Sequence, residues 1–252
     1  VIATNYTKAL TVNVAADDMN NGTYVHTVTG GTGTDVLKIT AASGDAALVA
    51  ADFASITKVE TFQTVGNEAF SATISDNNAV GTASSTETLT IDATSLTTAA
   101  ATIDASAEDD AKVSITTGGG GDTITASASS SYSDTVDAGS GADTINATVG
   151  ADSLTGGAGA DTFVYTAVSQ SSSTSSDTIS DFTTGTDKLN VTLNYSTLAS
   201  AATVNATLVT EAAGVTAVQN SLSAERGQYI YDTTNSKLYV NVNNDNLITM
   251  TT

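Results

Sequence analysis

The sequence predicts an all-β protein built as a β-solenoid, with further β-strand regions on either side. Branched or aromatic residues recur through the middle of the chain at steps of 9 or 12 residues, each inside a short triplet such as Thr-Ile-Asp. The loops between these triplets are rich in glycine and aspartate. Aromatic residues make up only 5% of the 252-residue chain, too few for a thick globular core. Short strands that each place one side chain inward fit all three observations.

The repeat covers about residues 88–166, and polar residues flank each of its apolar centres. These centres are Ile91, Ile103, Ile115, Ile124, Val136, Ile145, Leu154 and Phe163. The sequence therefore divides into an N-terminal β-rich region over 1–87, the solenoid over 88–166 and a C-terminal β cap over 167–252. A stack of this kind needs a cap at each end.

Five nine-residue frames within the solenoid share an aspartate at the sixth place. They are TGGGGDTIT (117–125), SSSYSDTVD (129–137), AGSGADTIN (138–146), ATVGADSLT (147–155) and GGAGADTFV (156–164). This pattern resembles the Gly-Gly-x-Gly-x-Asp-x-(apolar)-x nonapeptide of the RTX family, whose tandem copies form a parallel β-roll that binds calcium. Flexible linkers rich in glycine and aspartate are the alternative interpretation.

The composition of these loops also suits calcium on physical grounds. Ca²⁺ takes about six to eight oxygen ligands from carboxylates and backbone carbonyls. A loop with one aspartate cannot surround the ion, so two stacked loops must share it. If alternate frames lie on opposite sides of the roll, the glycine-rich frames 117–125, 138–146 and 156–164 lie on one face. The glycine-poor frames 129–137 and 147–155 then lie on the other.

We therefore expect two calcium sites in one column of the glycine-rich face, one between Asp122 and Asp143 and one between Asp143 and Asp161. The opposite face holds one weaker site, from Asp134 and Asp152, or none. In the RTX family one loop supplies carbonyls from its first and third places, and the next loop supplies them from its second and fourth. By this resemblance the carbonyl ligands are those of Thr117, Gly119, Ala138, Gly139, Ser140, Gly141, Gly157 and Gly159.

Further candidate ligands lie outside the roll. The segment 161–193 is similar to the one that follows the roll in RTX exoproteins, and its Asp177, Asp181 and Asp187 either form one more calcium site or cap turns. Upstream, GGTGTDVLK (30–38) matches the nonapeptide but stands alone. Asp35 is therefore a calcium ligand only if another carboxylate meets it.

The flanking segments predict a few more elements and a route of export. We expect a short helix over 47–53, a strand over 58–65 and two or three strands over 227–252. The final stretch is similar to the end of RTX proteins, where the uncleaved signal for type I secretion lies. No N-terminal signal peptide is visible, so we expect an extracellular or cell-surface protein without a cleaved N-terminal signal. The Ala- and Thr-rich segment 87–117 resembles RTX-type surface-layer proteins in style.

Charge and composition exclude several functions. Asp and Glu number 27 against 7 Lys and Arg, and the net charge of −20 opposes binding to nucleic acid or anionic lipid. No apolar run approaches the roughly 20 residues that cross a bilayer, which argues against membrane insertion. The chain has no cysteine, and His26 is its one histidine, so thiol catalysis and a two-histidine zinc site are excluded. A carboxylate-pair glycosidase is an alternative with few aromatic residues to bind sugar, and we predict a protein that is not an enzyme.

Two functions then remain as hypotheses. The first is an extracellular, calcium-dependent structural protein that assembles with copies of itself into a surface layer or similar array, with cell-surface polysaccharide as a further partner. The second is the C-terminal calcium-binding and secretion module of a larger RTX exoenzyme, toxin or adhesin. In both, calcium binding and folding form one equilibrium. We also expect acid to undo folding, because the ligands must be deprotonated.

Overall fold

The computed structural model describes residues 7–19, 27–41, 48–74, 88–172, 175–183 and 185–191, and the backbone of three strands between 229 and 251. His26 lies outside the described residues. The helices are α1 (Ala16–Met19), α2 (Ala50–Phe53) and a 3₁₀ turn (Val168–Gln170). None of the helices in these ranges has the length and hydropathy that a membrane crossing requires.

Short strands dominate the described residues. In chain order they are β1 (Thr11–Ala15), β2 (Val28–Thr29), β3 (Val36–Thr40), β4 (Ile56–Thr57), β5 (Thr61–Val65), β6 (Phe70–Thr73), β7 (Thr88–Asp92), β8 (Ala101–Asp104), β9 (Lys112–Thr116), β10 (Thr123–Thr125), β11 (Thr135–Asp137), β12 (Ser140–Gly141), β13 (Thr144–Asn146), β14 (Ser153–Thr155), β15 (Ala158–Gly159), β16 (Thr162–Tyr165), β17 (Asp177–Ile179), β18 (Lys188–Val191), β19 (Tyr229–Asp232), β20 (Lys237–Asn243) and β21 (Asn246–Thr251).

These strands stack into a β-solenoid with two main sheets, which confirms the predicted fold class. The longer sheet has the order β1-β3-β5-β7-β9-β11-β14-β17-β21-β20-β19, and the shorter has the order β6-β8-β10-β13-β16-β18. All neighbours in the shorter sheet are parallel, and in the longer sheet only the two pairs formed by β19, β20 and β21 are antiparallel. Successive strands of each sheet therefore come from successive turns of the chain.

The apolar centres of the repeat form the interior between the sheets. All eight are buried, with at most 2% of each side chain exposed, as the period predicts. Strand register stacks them on one another, so that Ile124 pairs with Ile103 on one side and Ile145 on the other. Burying one such side chain contributes about 1.5–3 kcal/mol, which makes the ladder a main source of stability.

Pairing in the longer sheet runs across residue 87, the predicted end of the N-terminal region. Strand β5 pairs with β7, which places Phe62 beside Ile91. The helix predicted over 47–53 corresponds to α2, and the strand predicted over 58–65 corresponds to β5, which begins three residues later. Three strands are present where two or three were expected over 227–252, and β21 adds to β17.

Candidate metal centre

Alternate nonapeptide frames lie on opposite faces of the roll, as expected. The strands that follow the glycine-rich loops are β10, β13 and β16, and they are neighbours in the shorter sheet. The strands that follow the glycine-poor loops are β11 and β14, and they are neighbours in the longer sheet. Loops 117–122, 138–143 and 156–161 therefore stack directly on one another in a column, which we call the glycine-rich column.

Each aspartate of this column reaches back toward the preceding turn. Its Oδ1 atom accepts a hydrogen bond from the backbone N–H of the residue at the same register position one turn earlier. The donor–acceptor distances are 2.7 Å for Ala101 to Asp122, 2.7 Å for Asp122 to Asp143, 3.0 Å for Asp143 to Asp161 and 3.0 Å for Asp161 to Asp187. Each carboxylate thus lies in the gap between its own loop and the loop before it.

The second carboxylate oxygen of three of these aspartates has no hydrogen-bond partner. The Oδ2 atoms of Asp122, Asp143 and Asp161 are buried, and each residue is only 1% exposed. Burial raises the pKa of Asp143 to about 6, and the neighbouring negative charges of Asp122 and Asp161 add to this effect. A buried carboxylate oxygen without a partner is costly, and a divalent cation in the gap would satisfy it.

Glycines bring the backbones of the stacked loops into direct contact. A Cβ atom on Gly141 would lie 1.6 Å from the carbonyl oxygen of Gly120, and one on Gly159 would lie 1.4 Å from that of Gly141. Both glycines have positive φ, +156° and +146°. Carbonyl oxygens therefore face the next loop where any larger residue would exclude them. Together with the unpartnered carboxylate oxygens they form an oxygen-only donor set, which suits Ca²⁺.

The eight predicted carbonyl ligands all belong to this stack of loops. Ser140 and Gly141 of β12 pair with β15, and Gly119 forms a bridge with Ser140. Two of the carbonyls also accept hydrogen bonds, that of Ala138 from Thr117 Oγ1 at 2.9 Å and that of Gly139 from the Ala158 N–H at 2.8 Å. A carbonyl oxygen has two lone pairs, so these bonds leave room for an ion. The assignment of each carbonyl to an ion stays a prediction.

The glycine-poor face carries an aspartate ladder of the same form. The backbone N–H groups of Val113, Asp134 and Asp152 donate to the Oδ1 atoms of Asp134, Asp152 and Asp177 at 2.7, 2.9 and 3.0 Å. Asp177 thus belongs to this column, at the register position of the nonapeptide aspartates. Burial raises the pKa of Asp152 to about 7 and that of Asp177 to about 8.

On this face the protein itself satisfies the second carboxylate oxygens. The donors are Ser127 Oγ to Asp134 at 2.7 Å, Thr148 Oγ1 to Asp152 at 3.1 Å and the Tyr165 hydroxyl to Asp177 at 2.9 Å. Sequence reasoning missed these three hydroxyl donors. The available signal was Thr148, which stands at the second place of its frame, where the glycine-rich frames carry glycine. Ser127 and Tyr165 lie outside the glycine-poor frames and carried no such signal. The arrangement favours the expectation of no calcium site between Asp134 and Asp152.

The flanking candidates also have protein partners. Both oxygens of Asp181 accept from backbone N–H groups, those of Gly156 at 3.0 Å and Gly157 at 2.6 Å. Asp187 accepts from Asp161 through Oδ1 and from the Thr183 N–H through Oδ2 at 2.7 Å. These bonds favour the turn-capping alternative. A calcium role for either residue stays a prediction.

Glu60 supplies a second carboxylate next to Asp35, which the isolated nonapeptide did not predict. The Asp35 N–H donates to Glu60 Oε2 at 2.5 Å, and the Asp35 carboxylate oxygens accept from the N–H groups of Leu10 at 2.7 Å and Gly31 at 2.6 Å. Sequence reasoning did not select Glu60, although it immediately precedes β5 as Asp35 precedes β3. Its role as a calcium ligand stays a prediction.

Carboxylates do not cluster in the described part of the chain. No group of three or more His, Cys, Asp or Glu side chains converges there in a way that could hold a metal ion. The candidate centre instead has one carboxylate per loop and draws its other oxygens from the backbone. Such a donor set is compatible with calcium, which binds carbonyl oxygens readily.

A parallel β-roll with stacked glycine loops and a ladder of buried aspartates defines the class of protein, an RTX-type repeat domain. A family model described as Peptidase M10 serralysin C terminal matches residues 9–249, and the chain belongs to this family. The family is the non-catalytic RTX repeat region of serralysin-type proteins, and it implies calcium binding. No curated protein sequence matches the chain.

Proposed function

We propose that the chain is the calcium-binding module of a larger secreted RTX protein, and that calcium drives its folding outside the cell. The observation that carries this proposal is the set of three buried, unpartnered carboxylate oxygens in the glycine-rich column. The family match supports this function over the surface-layer function that the sequence style suggested. RTX repeat proteins are typically exported by type I systems, which supports an extracellular location.

Two calcium positions follow from the stacking of the loops. One lies between loops 117–122 and 138–143, the gap that the Asp143 carboxylate occupies, and the other lies between loops 138–143 and 156–161, the gap that the Asp161 carboxylate occupies. Calcium there offsets the repulsion between successive carboxylates and supplies the missing partner of the Oδ2 atoms of Asp143 and Asp161. Because the loops exist as stacked pairs only in the folded chain, binding free energy becomes folding free energy. Low cytosolic calcium keeps the chain loose for export.

Self-assembly into a surface layer is the second candidate. Within the described residues β1 pairs only with β3, so one side of β1 is an open edge of the longer sheet. An open parallel edge can accept a strand from another copy. The Thr- and Ser-rich surface and the absence of a catalytic motif in the sequence also suit a structural protein. Binding to cell-surface polysaccharide remains a prediction attached to this candidate.

Light scattering distinguishes the two functions. The full chain is stripped with a chelator, and calcium is then returned through the millimolar range. A compact monomer that forms on calcium addition supports the module. Growth to large particles that chelator reverses supports assembly and contradicts a purely monomeric module. No change in size or shape contradicts both.

A further inference from the structure

The glycine-rich column extends one turn above the first nonapeptide loop. We propose that a calcium ion occupies a third position there, between the loop 94–100, which has no nonapeptide motif, and the loop 117–122. This inference rests on the proposed function. It adds a site that counting aspartate pairs in the sequence does not find, because Ala101 stands where the next aspartate would be.

The carboxylate of Asp122 lies in this upper gap. Its Oδ1 atom accepts from the Ala101 N–H at 2.7 Å, just as Asp143 accepts from Asp122 one turn below. Strand register places Ala101 at the position of the aspartates, since Thr102 pairs with Thr123. The unpartnered and buried Oδ2 of Asp122 is therefore held between a nonapeptide loop and an ordinary one.

The loop 94–100 stacks on the glycines as a nonapeptide loop does. The Gly119 N–H donates to the Leu96 carbonyl at 2.5 Å, and the equivalent bond one turn below runs from Ser140 to Gly118 at 2.7 Å. The next equivalent bond runs from Ala158 to Gly139 at 2.8 Å. The backbone therefore continues the column without its sequence signature.

Carbonyl oxygens of the loop 94–100 face the glycines at close range. A Cβ atom on Gly118 would lie 2.5 Å from the Leu96 oxygen, and one on Gly119 would lie 2.1 Å from the Thr97 oxygen. A Cβ atom on Gly120 would lie 2.7 Å from the oxygen of Ala99. The gap thus offers several carbonyls and one carboxylate.

The carboxylates at the opposite end of the column have protein donors. Asp187 accepts from two backbone N–H groups, and Asp181 accepts from the amides of Gly156 and Gly157. No carboxylate oxygen of these two residues is among the unpartnered buried atoms of the described chain. At Asp122 the Oδ2 atom has no hydrogen-bond partner, and the nearby Thr117 hydroxyl, which acts to lower the pKa of Asp122, donates to the Ala138 carbonyl instead.

The variant Asp122→Asn tests the third position in the full chain. Asparagine keeps the Oδ1 acceptor for Ala101 and replaces only the unpartnered oxygen by an amide. Native mass spectrometry counts the bound calcium, and hydrogen–deuterium exchange locates its effect. We expect the variant to lose one ion and to lose calcium-induced protection in 94–100, while 138–161 stays protected. Asp109→Asn removes an exposed carboxylate and serves as the charge-matched control.

Hydrogen–deuterium exchange of the wild-type chain tests the third position even if the variant does not fold. Calcium should slow exchange in 94–100 as well as in 117–161. Protection of 117–161 alone would overturn the third position and leave the proposed function standing. Loss of protection in 138–143 rather than 94–100 in the variant would also overturn it. A wild-type chain that binds no calcium and shows no change in exchange contradicts the proposed function itself.

Discussion

At the residue scale, the two faces of the roll differ in what meets the second oxygen of each aspartate. Asp143 has no donor there, whereas Asp152 has the Thr148 hydroxyl. We expect Asp143→Asn to weaken calcium binding on the order of ten- to hundredfold, since a charge-assisted contact contributes about 1.5–3 kcal/mol. Titration calorimetry measures the change. Asp152→Asn is the matched control, and an equal loss of affinity there would contradict the distinction between the faces.

Steric contact at one glycine gives a second prediction at this scale. In Gly159→Ala the new Cβ would lie 1.4 Å from the Gly141 oxygen, whereas at Gly185, which also has positive φ, no atom lies within 4 Å. Gly185→Ala should cost about 1–2 kcal/mol of unfolding free energy from its backbone conformation alone. Gly159→Ala should cost clearly more, because the loops must separate. Calcium-loaded thermal melts compare them, and equal losses would contradict backbone stacking.

At the scale of elements, Tyr165 links the two main sheets near the end of the roll. It lies on β16 in the shorter sheet, and its hydroxyl donates across the core to Asp177 on β17 in the longer sheet. Tyr165→Phe removes this donor from a buried carboxyl group and should lower the unfolding free energy by about 1–3 kcal/mol. Urea unfolding measures the loss. Calcium affinity should stay at its wild-type value, and a parallel fall in affinity would place Asp177 in a metal site.

The sequence predicted those elements whose positions the repeat determines. A period of 9 or 12 residues located the buried centres from Ile91 to Phe163, and alternation of the frames placed the glycine-rich loops on one face, because each strand holds one inward side chain. The sequence did not show that each aspartate reaches into the preceding gap, because this depends on the register between distant turns. Glu60 and the stacking of 94–100 were not predicted, because neither carries the nonapeptide motif.

The whole molecule should respond to pH through its two aspartate columns. Without calcium, burial raises the pKa of Asp143 to about 6, of Asp152 to about 7 and of Asp177 to about 8, from 3.8. At any pH between 3.8 and these raised pKa values, the folded state binds more protons than the unfolded state. Stability is therefore greatest below the ordinary aspartate pKa and falls as pH rises from about 4 to about 8, above which all three groups are ionised in both states.

This behaviour modifies the expectation that acid undoes folding. Acid releases calcium but also neutralises the carboxylates that repel one another. The far-UV β signal in chelator should fall from about pH 5 to about pH 8.5, and excess calcium should reduce or reverse that fall by stabilising the ionised glycine-rich column. A β signal that rises with pH in chelator would contradict the raised pKa values.

The coupling of calcium to folding is the central claim at this scale, and far-UV circular dichroism of the full chain tests it most directly. The chain is stripped with chelator near neutral pH, and calcium is returned stepwise. We predict a weak β signal in chelator that rises cooperatively with calcium and falls again when chelator is restored, with magnesium ineffective at the same concentration. A full β signal in chelator that calcium leaves unchanged would contradict the account.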